Sequence, residues 1–519
     1  MIERYLNKRY LTLYLFPFIL GCLTVFSFQP FNYTFINFLI LPLLFYLTVY
    51  IKKKSKSVYR KKPYKKNFFL FGTFFGFGFF LCGIYWITNS LTFDDSFTFL
   101  IPIGLIVIPL FLSLFFSIPI LLVGPFLNLN FVSIFLFSGS LGLFDYIRSK
   151  IFTGFPWNLW AYSFSWFNEL IQILDKSGLF AFNLIIISIF TLPAFCLFKI
   201  KLGKKILYSF CLILFFIFFY LYGNYSINQN QKDIISLNDK FNIKVISPNF
   251  DLKYGLTETE IETRLEKLIR YSDPKKNLKT LFIWPEGVFS GYSYGELIKL
   301  KKLFVRNFGK DHYILFGVNR LDKEQEGIYN SLIIVNNQFD IIQEYKKQKL
   351  VPFGEFLPFE KLFNKFGLKK ITEGHGSFLV GKKQKNLEID QLNILPLICY
   401  EIIFPKLIQN SGEGTNLIIN ISEDGWFGDS IGPHQHFAKS IYRAIERNTF
   451  LARSANKGIS AIISNKGQII KKINPNESGN IELEVPLIKR KNKNKNDLIF
   501  FVLLFTYIFI FKFNKKNNG

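Results

Sequence analysis

Cys399 closes the apolar run of NILPLICYEIIFP (Asn393–Pro405), Glu286 closes FIWPE, and Lys347 stands in YKKQKLVPFGE, which also supplies Glu355. A thiol, a carboxylate and an ammonium are together sufficient for acyl transfer. A free cysteine ionises near about 8.5, and its thiolate attacks a carbonyl far better than its thiol does. A nearby carboxylate can take the thiol proton, and an ammonium can hold both the thiolate and the developing oxyanion. The set needs no histidine, no metal and no organic cofactor. Each member alone has an ordinary reading: Glu286, bracketed by Pro285 and Gly287, as a surface turn, Lys347 as one solvated base among 63, and Cys399 as core packing. The combination, at three run ends of one segment, is much harder to dismiss.

Other chemistries are poorly served. Cys22, Cys82, Cys196 and Cys211 lie inside apolar runs, where a thiol behaves as a small hydrophobe, so no disulfide framework or CxxC motif is available. His434 and His436 have spacing for two metal ligands, with Asp424 and Asp429 as oxygen donors, but no third His or Cys lies at metal-site spacing; a hydrogen-bonded loop is the simpler expectation. Gly412 and Gly414 match no phosphate-binding fingerprint.

These groups must be positioned by strands. From about 241 to 486, short apolar runs (FNIKVISP, TLFIWPE, YILFGVN, SLIIVNN, NILPLICYE, TNLIINISE, GISAIIS) alternate with polar stretches. Two of these, Thr257–Ser272 and His436–Ser454, have helical amphipathicity. Continuous β-branched runs alternating with helices predict a layered α/β domain, in which strand ends and their loops build ligand sites.

The rest of the chain is a different solvent's problem. Half of the 519 residues are apolar, 65 of them Phe, and mean hydropathy is +0.24, which is too apolar for a soluble enzyme of this size. A span needs roughly 20 apolar residues. The candidates are Tyr10–Phe28, Phe35–Ile51, Phe68–Ile87, Phe99–Val123, Phe131–Ile147, Leu179–Phe198, Ile206–Tyr222 and a short last one, Leu498–Phe511. The first has no small-residue cleavage site and reads as an uncleaved anchor. The domains expected are 1–222 with seven spans, 223–497 as the polar catalytic segment, and 498–519 with the final span and tail.

The formal charge of +26 suggests nucleic acid, but its distribution argues against that partner. Lysines cluster beside apolar runs: Lys52–Lys66, Lys199–Lys205 and the tail fall on one side after even numbers of spans, leaving 223–497 outside. Lys489–Lys495 disagrees with that count and reads as a solvated spacer. The aromatics of TGFPWNLWAYSF (Thr153–Phe164) have an interfacial belt as their ordinary reading.

FIWPEG, YKKQKLVPFGE and LPLICYE resemble the three catalytic motifs of the nitrilase-like carbon–nitrogen hydrolase superfamily. LVPFGEFLP, SEDGWFGDSIGPHQH and TGFPWNLWAYS resemble, more narrowly, bacterial apolipoprotein N-acyltransferases; the resemblance runs from FSFQPFN to the final span. It implies a multi-span α-helical membrane domain plus a nitrilase-like α-β-β-α sandwich. Glu286 would be general base, Lys347 oxyanion stabiliser and Cys399 nucleophile. Glu355 would orient the lysine and substrate, and Tyr400 and Glu401 would flank the nucleophile. Trp426 would shape the way in for lipids, with Trp157 of the FPW motif supporting. The donor implied is a membrane phospholipid and the acceptor a diacylated apolipoprotein, at the periplasmic face of the bacterial inner membrane. The runner-up is a membrane-tethered nitrilase-like amidase. Where the family reads Asn-Asp this chain has Glu423-Asp424, and Tyr254 stands where the family has a Trp.

Overall fold

The computed structural model describes residues 6–57, 64–253, 255–322, 324–358, 377–409, 412–488 and 496–517. Tyr254 and Lys489–Lys495 lie outside them, as does part of the basic loop Lys52–Lys66. Two compact units emerge: Met1–Thr92, Ser96–Ile227 and Asn494–Gly519 form one, Phe93–Asp95 and Asn228–Lys493 the other.

Seven helical stretches among the described residues are long and apolar enough to cross a membrane: Thr34–Lys54, Lys65–Thr92, Asp95–Phe126, Phe131–Arg148, Leu174–Leu197, Leu202–Ile235 and Asp497–Asn514. The expected first span is present as a shorter apolar helix, Leu11–Ser27. It packs backbone to backbone on helix Tyr64–Ile84, since a Cβ at Gly21 would strike the Phe75 carbonyl and one at Gly78 that of Phe18. Small residues permit such contacts where lipid supplies no hydrophobic drive.

The aromatics of Thr153–Phe164 are not an interfacial belt. Trp157, Trp160 and Phe164 are buried, with Trp157 packed against Trp86 and Phe155. The reason is a polar anchor. Arg148 donates to the carbonyl of Phe155 (2.6 Å) and to Asp145 (2.8 Å), whose other oxygen accepts from Asn183 (2.9 Å). Ionisable groups inside an apolar bundle persist when paired in this way, and the pairing pulls the loop inward.

Among the described residues, the second unit holds two six-stranded sheets. The first, in order β12-β1-β2-β3-β4-β5, comprises β1 (Lys240–Ser247), β2 (Thr280–Ile283), β3 (His312–Asp322), β4 (Gly327–Val335), β5 (Ile341–Lys346) and β12 (Gly479–Pro486). The second runs β11-β10-β9-β8-β7-β6, from β6 (Leu387–Ile389), β7 (Leu392–Ile398), β8 (Leu417–Glu423), β9 (Phe450–Asn456), β10 (Ser460–Ile463) and β11 (Ile469–Ile473). In each sheet three strands are parallel, β1-β2-β3 and β7-β8-β9.

Strand alternation explains the continuous apolar runs. Ile243, Val245, Leu281, Ile283, Leu315 and Leu332 face Ile394, Ile398, Leu417, Ile419 and Ala452 of the other sheet. Their neighbours Ile246, Phe282, Ile314, Phe316 and Ile333 pack outward on helix Glu258–Ser272 through Ile261, Leu265 and Leu268. Successive side chains point to opposite faces, and both faces are covered. That helix starts where the sequence says, with Thr257 and Glu260 forming a capping box.

One expected helix needs correction. His436–Ser454 is not helical throughout: the helix runs Gly432–Arg447, Asn448 ends it in the left-handed region (φ 53°), and Phe450–Asn456 becomes β9. A fully buried strand slot between β8 and β10 outweighs the helical pattern of FLARS.

Candidate active site

Four of the expected residues converge where strands of the two sheets end. Glu286 follows β2, Lys347 follows β5, Glu355 sits in the turn after it, and Cys399 follows β7. All are buried. The Lys347 ammonium lies 2.8 Å from Glu355 Oε1 and 3.3 Å from Glu286 Oε1. Between the carboxylates, Asn330 of β4 donates to both, at 2.8 Å each, while its carbonyl accepts from the Lys347 N–H (2.9 Å). Glu355 Oε2 accepts from Val351 N (2.9 Å), and Glu286 Oε2 from Glu423 N (3.1 Å). Every carboxylate oxygen in the pair thus has a fixed donor.

Electrostatics follow from this packing. Burial alone draws Lys347 down, but the charges of Glu286 and Glu355 outweigh it and its pKa is raised, so it stays an ammonium. Burial and the adjacent Glu286 charge push the Cys399 thiol up, against the opposing pull of Lys347. The resting group is therefore a neutral thiol. Such a thiol needs a base beside it before it can attack.

Cys399 has φ +48° at the junction of β7 and a short 3₁₀ turn, Cys399–Ile403. A left-handed conformation is costly for a side-chain-bearing residue and tends to occur where surroundings impose it at functional turns. Glu401 helps impose it. Its buried carboxylate accepts from Ile398 N (2.8 Å), Gln348 N (2.7 Å), Lys349 N (3.1 Å) and Tyr345 OH (3.0 Å), tying the cysteine turn to the loop after Lys347. Burial nonetheless pushes Glu401 up to about 7. Tyr400 is buried edge-on against Phe404.

Trp426 is half-buried in the 3₁₀ turn after β8, its ring edge-on to Phe93 at 5.2 Å. Trp157 belongs to the first unit. Sequence reasoning did not single out Asn330, Tyr345 or Arg453. Asn330 left one signal, an amide inside the apolar strand YNSLIIV.

Comparison with known proteins bears on what this arrangement belongs to. The apolipoprotein N-acyltransferase N-terminal domain pattern matches residues 20–192, and the carbon-nitrogen hydrolase pattern residues 257–490. The apolipoprotein N-acyltransferase of Rickettsia typhi is 34% identical over 424 residues, covering 80% of this chain and 83% of the relative. The chain belongs to the apolipoprotein N-acyltransferase family. The enzyme of that name from Rhodopseudomonas palustris is 28% identical over 90% of this chain and 88% of its own length. Among solved structures the chain is similar to Saccharomyces cerevisiae Nit3, of the nitrilase superfamily, at TM-score 0.36 and 17% identity, over 48% of this chain and 91% of that one. As an N-acyltransferase, the protein joins a bundle of apolar helices to a carbon–nitrogen hydrolase domain of two packed sheets.

Proposed function

We propose that the acyl donor of this N-acyltransferase is a membrane phospholipid and that the chain passes through a Cys399 thioester. It is delivered to the α-amino group of the S-diacylglyceryl-cysteine at a lipoprotein's N-terminus. The observation that carries this reading is the buried Glu286–Lys347–Glu355 cluster, whose Glu286 and Lys347 charges reach the buried Cys399 thiol.

In the first half-reaction Glu286 takes the Cys399 proton as sulfur bonds to the ester carbonyl carbon. The tetrahedral oxyanion is held by Lys347 and a backbone N–H beside Cys399. As the intermediate collapses, the C–O bond breaks and the proton passes from Glu286 to the departing lysophospholipid oxygen. In the second half-reaction the neutral amine attacks the thioester and gives Glu286 a proton. The C–S bond breaks, and that proton returns to sulfur. One site serves both lipids in turn, a ping-pong scheme. Glu355 and Asn330 hold Lys347 and Glu286 in register throughout. Burial of Cys399 limits hydrolysis of a thioester that must outlast the exchange of substrates.

Both substrates are lipids, which accounts for the apolar helices. We place the enzyme in the bacterial inner membrane with its hydrolase domain on the periplasmic side, on the strength of lysine placement in the short loops. The test is purified protein in phospholipid vesicles with a fluorescent diacylated lipopeptide. N-acylated peptide and lysophospholipid in equal amounts support the reading; free fatty acid without peptide acylation points to the amidase alternative.

A further inference from the structure

Behind Cys399 lies a second buried cluster that the scheme above does not use. His436, on helix Gly432–Arg447 and fully enclosed, places Nε2 3.2 Å from the carbonyl oxygen of Cys399. Its Nδ1 lies 3.0 Å from Asp424 Oδ1 and 3.0 Å from Arg453 Nη2. Arg453 of β9 also grips both Asp424 oxygens (3.0 and 2.8 Å), the side-chain oxygen of Asn420 and the carbonyl of Ile459 (3.2 Å). Ser422 donates to Asp424 (2.7 Å), and Phe427 stands edge-on to the imidazole. A carbonyl has no hydrogen to give, so Nε2 must be the donor. With Nε2 committed to the carbonyl, the His436–Asp424 pair is not a base for the thiol.

We propose that His436 is a positioning residue for the oxyanion site: by holding the Cys399 carbonyl it fixes the Cys399–Tyr400 peptide so that the Tyr400 N–H stabilises the oxyanion alongside Lys347. The inference rests on the thioester reading above. In a trans peptide the C=O and N–H point in opposite directions, so a carbonyl held from the His436 side turns the N–H the other way. Left-handed φ at Cys399 sets the residue's bend, and the rotation of the following peptide is set by ψ, on which the 3₁₀ turn Cys399–Ile403 and the His436 contact both bear. Glu401 secures the chain before the cysteine through Ile398 N (2.8 Å), and His436 secures it after. Arg453, tied to β8 and to its own β9–β10 loop, keeps the imidazole from rotating away.

The test separates oxyanion chemistry from thiol chemistry on the full-length protein in phosphatidylethanolamine–phosphatidylglycerol vesicles. Acylation of Cys399 by phospholipid, read by intact mass, needs the oxyanion donors; alkylation by iodoacetamide forms no oxyanion. His436→Leu is expected to slow acylation about 10²-fold, the loss typical of one oxyanion donor, with alkylation within about threefold of wild type. His436→Gln, whose amide N–H can reach the same carbonyl, is expected to recover most of that loss. Wild-type acylation in His436→Leu overturns the proposal. So does alkylation falling in step with acylation in both variants, because that marks a collapsed turn rather than a lost donor. A wild-type protein that forms no Cys399 thioester sinks the underlying mechanism and the inference with it, whereas a thioester formed equally fast by wild type and His436→Leu sinks the inference alone.

Discussion

At Cys399 two physical demands meet, the proposed nucleophile and a left-handed backbone. Cys399→Ala is expected to abolish thioester and N-acylation, seen by intact mass and lipopeptide assay. Its fold should survive, because neighbouring apolar residues and Glu401 hold the turn. Cys399→Gly should melt no lower than Cys399→Ala despite one fewer carbon, since glycine carries no penalty at φ +48° while alanine pays about 1 kcal/mol. A markedly lower melting point for Gly would mean that the turn is unstrained. Lys347 makes the sharper comparison. Its neighbours Lys346 and Lys349 are partly exposed, one over the Tyr329 ring and one over Phe404. Lys347→Met is expected to lose roughly 10²- to 10³-fold in turnover. It should also lose stability, because Glu286 and Glu355 are left as two buried carboxylates around Asn330. Lys346→Met and Lys349→Met should stay near wild type, as exposed cations contribute about 0–1 kcal/mol. Equal losses at all three positions refute the oxyanion assignment.

At the scale of elements, the end of β8 brings acids together. Glu423 is buried, its carboxylate taking hydrogen bonds from Asn456 (2.9 Å) and Gly425 N (3.0 Å). It also packs under Gly287, where φ is +73° and a Cβ would lie 2.9 Å from Glu423 Oε2. Burial, with the charges of Glu286 and Asp424, pushes Glu423 up to about 8. The folded protein therefore holds this proton to higher pH than the unfolded chain, where a glutamate ionises near about 4.3. Between those values the folded state binds more protons, so this group's contribution to stability is present at low pH and is lost as pH rises toward 8. Glu423→Gln cannot ionise. Going from about pH 5 to about pH 8.5, its melting temperature is expected to move in its favour relative to wild type, by on the order of 5 °C. A wild-type-minus-variant difference independent of pH contradicts that environment. The comparison should be made by scanning calorimetry in one detergent.

For the whole molecule, function depends on which side of the bilayer the hydrolase domain occupies. On the proposed reading the acceptor amine is met outside the cytoplasm. Alkaline phosphatase, which folds only in an oxidising compartment, should be active when fused after Asn238 and inactive when fused within Lys52–Lys66. The opposite pattern removes the acyltransferase's access to its acceptor, leaving an inward-facing amidase as the better account.

Hydropathy marked the apolar helices, and strand-like runs ending in Glu286 and Cys399, with Lys347 in YKKQKLVPFGE, marked the candidate site, because both are properties of contiguous residues that their neighbours fix. Glu258–Ser272 was equally legible through its cap and its apolar stripe. What only tertiary structure decided involves partners distant along the chain. Asn330 meets Glu286 from 44 residues away, and the Glu423 N–H reaches it from 137 residues away; no local pattern encodes either meeting. The strand Phe450–Asn456 was hidden for a related reason: FLARS carries helical spacing, and only the vacant place between two neighbouring strands makes it β and brings Arg453 to His436. The aromatic loop Thr153–Phe164 carries the composition of a membrane-surface belt, yet the buried Arg148–Asp145–Asn183 anchor draws it inside. Local sequence set which groups could react, and packing between residues far apart in the chain set how they are held.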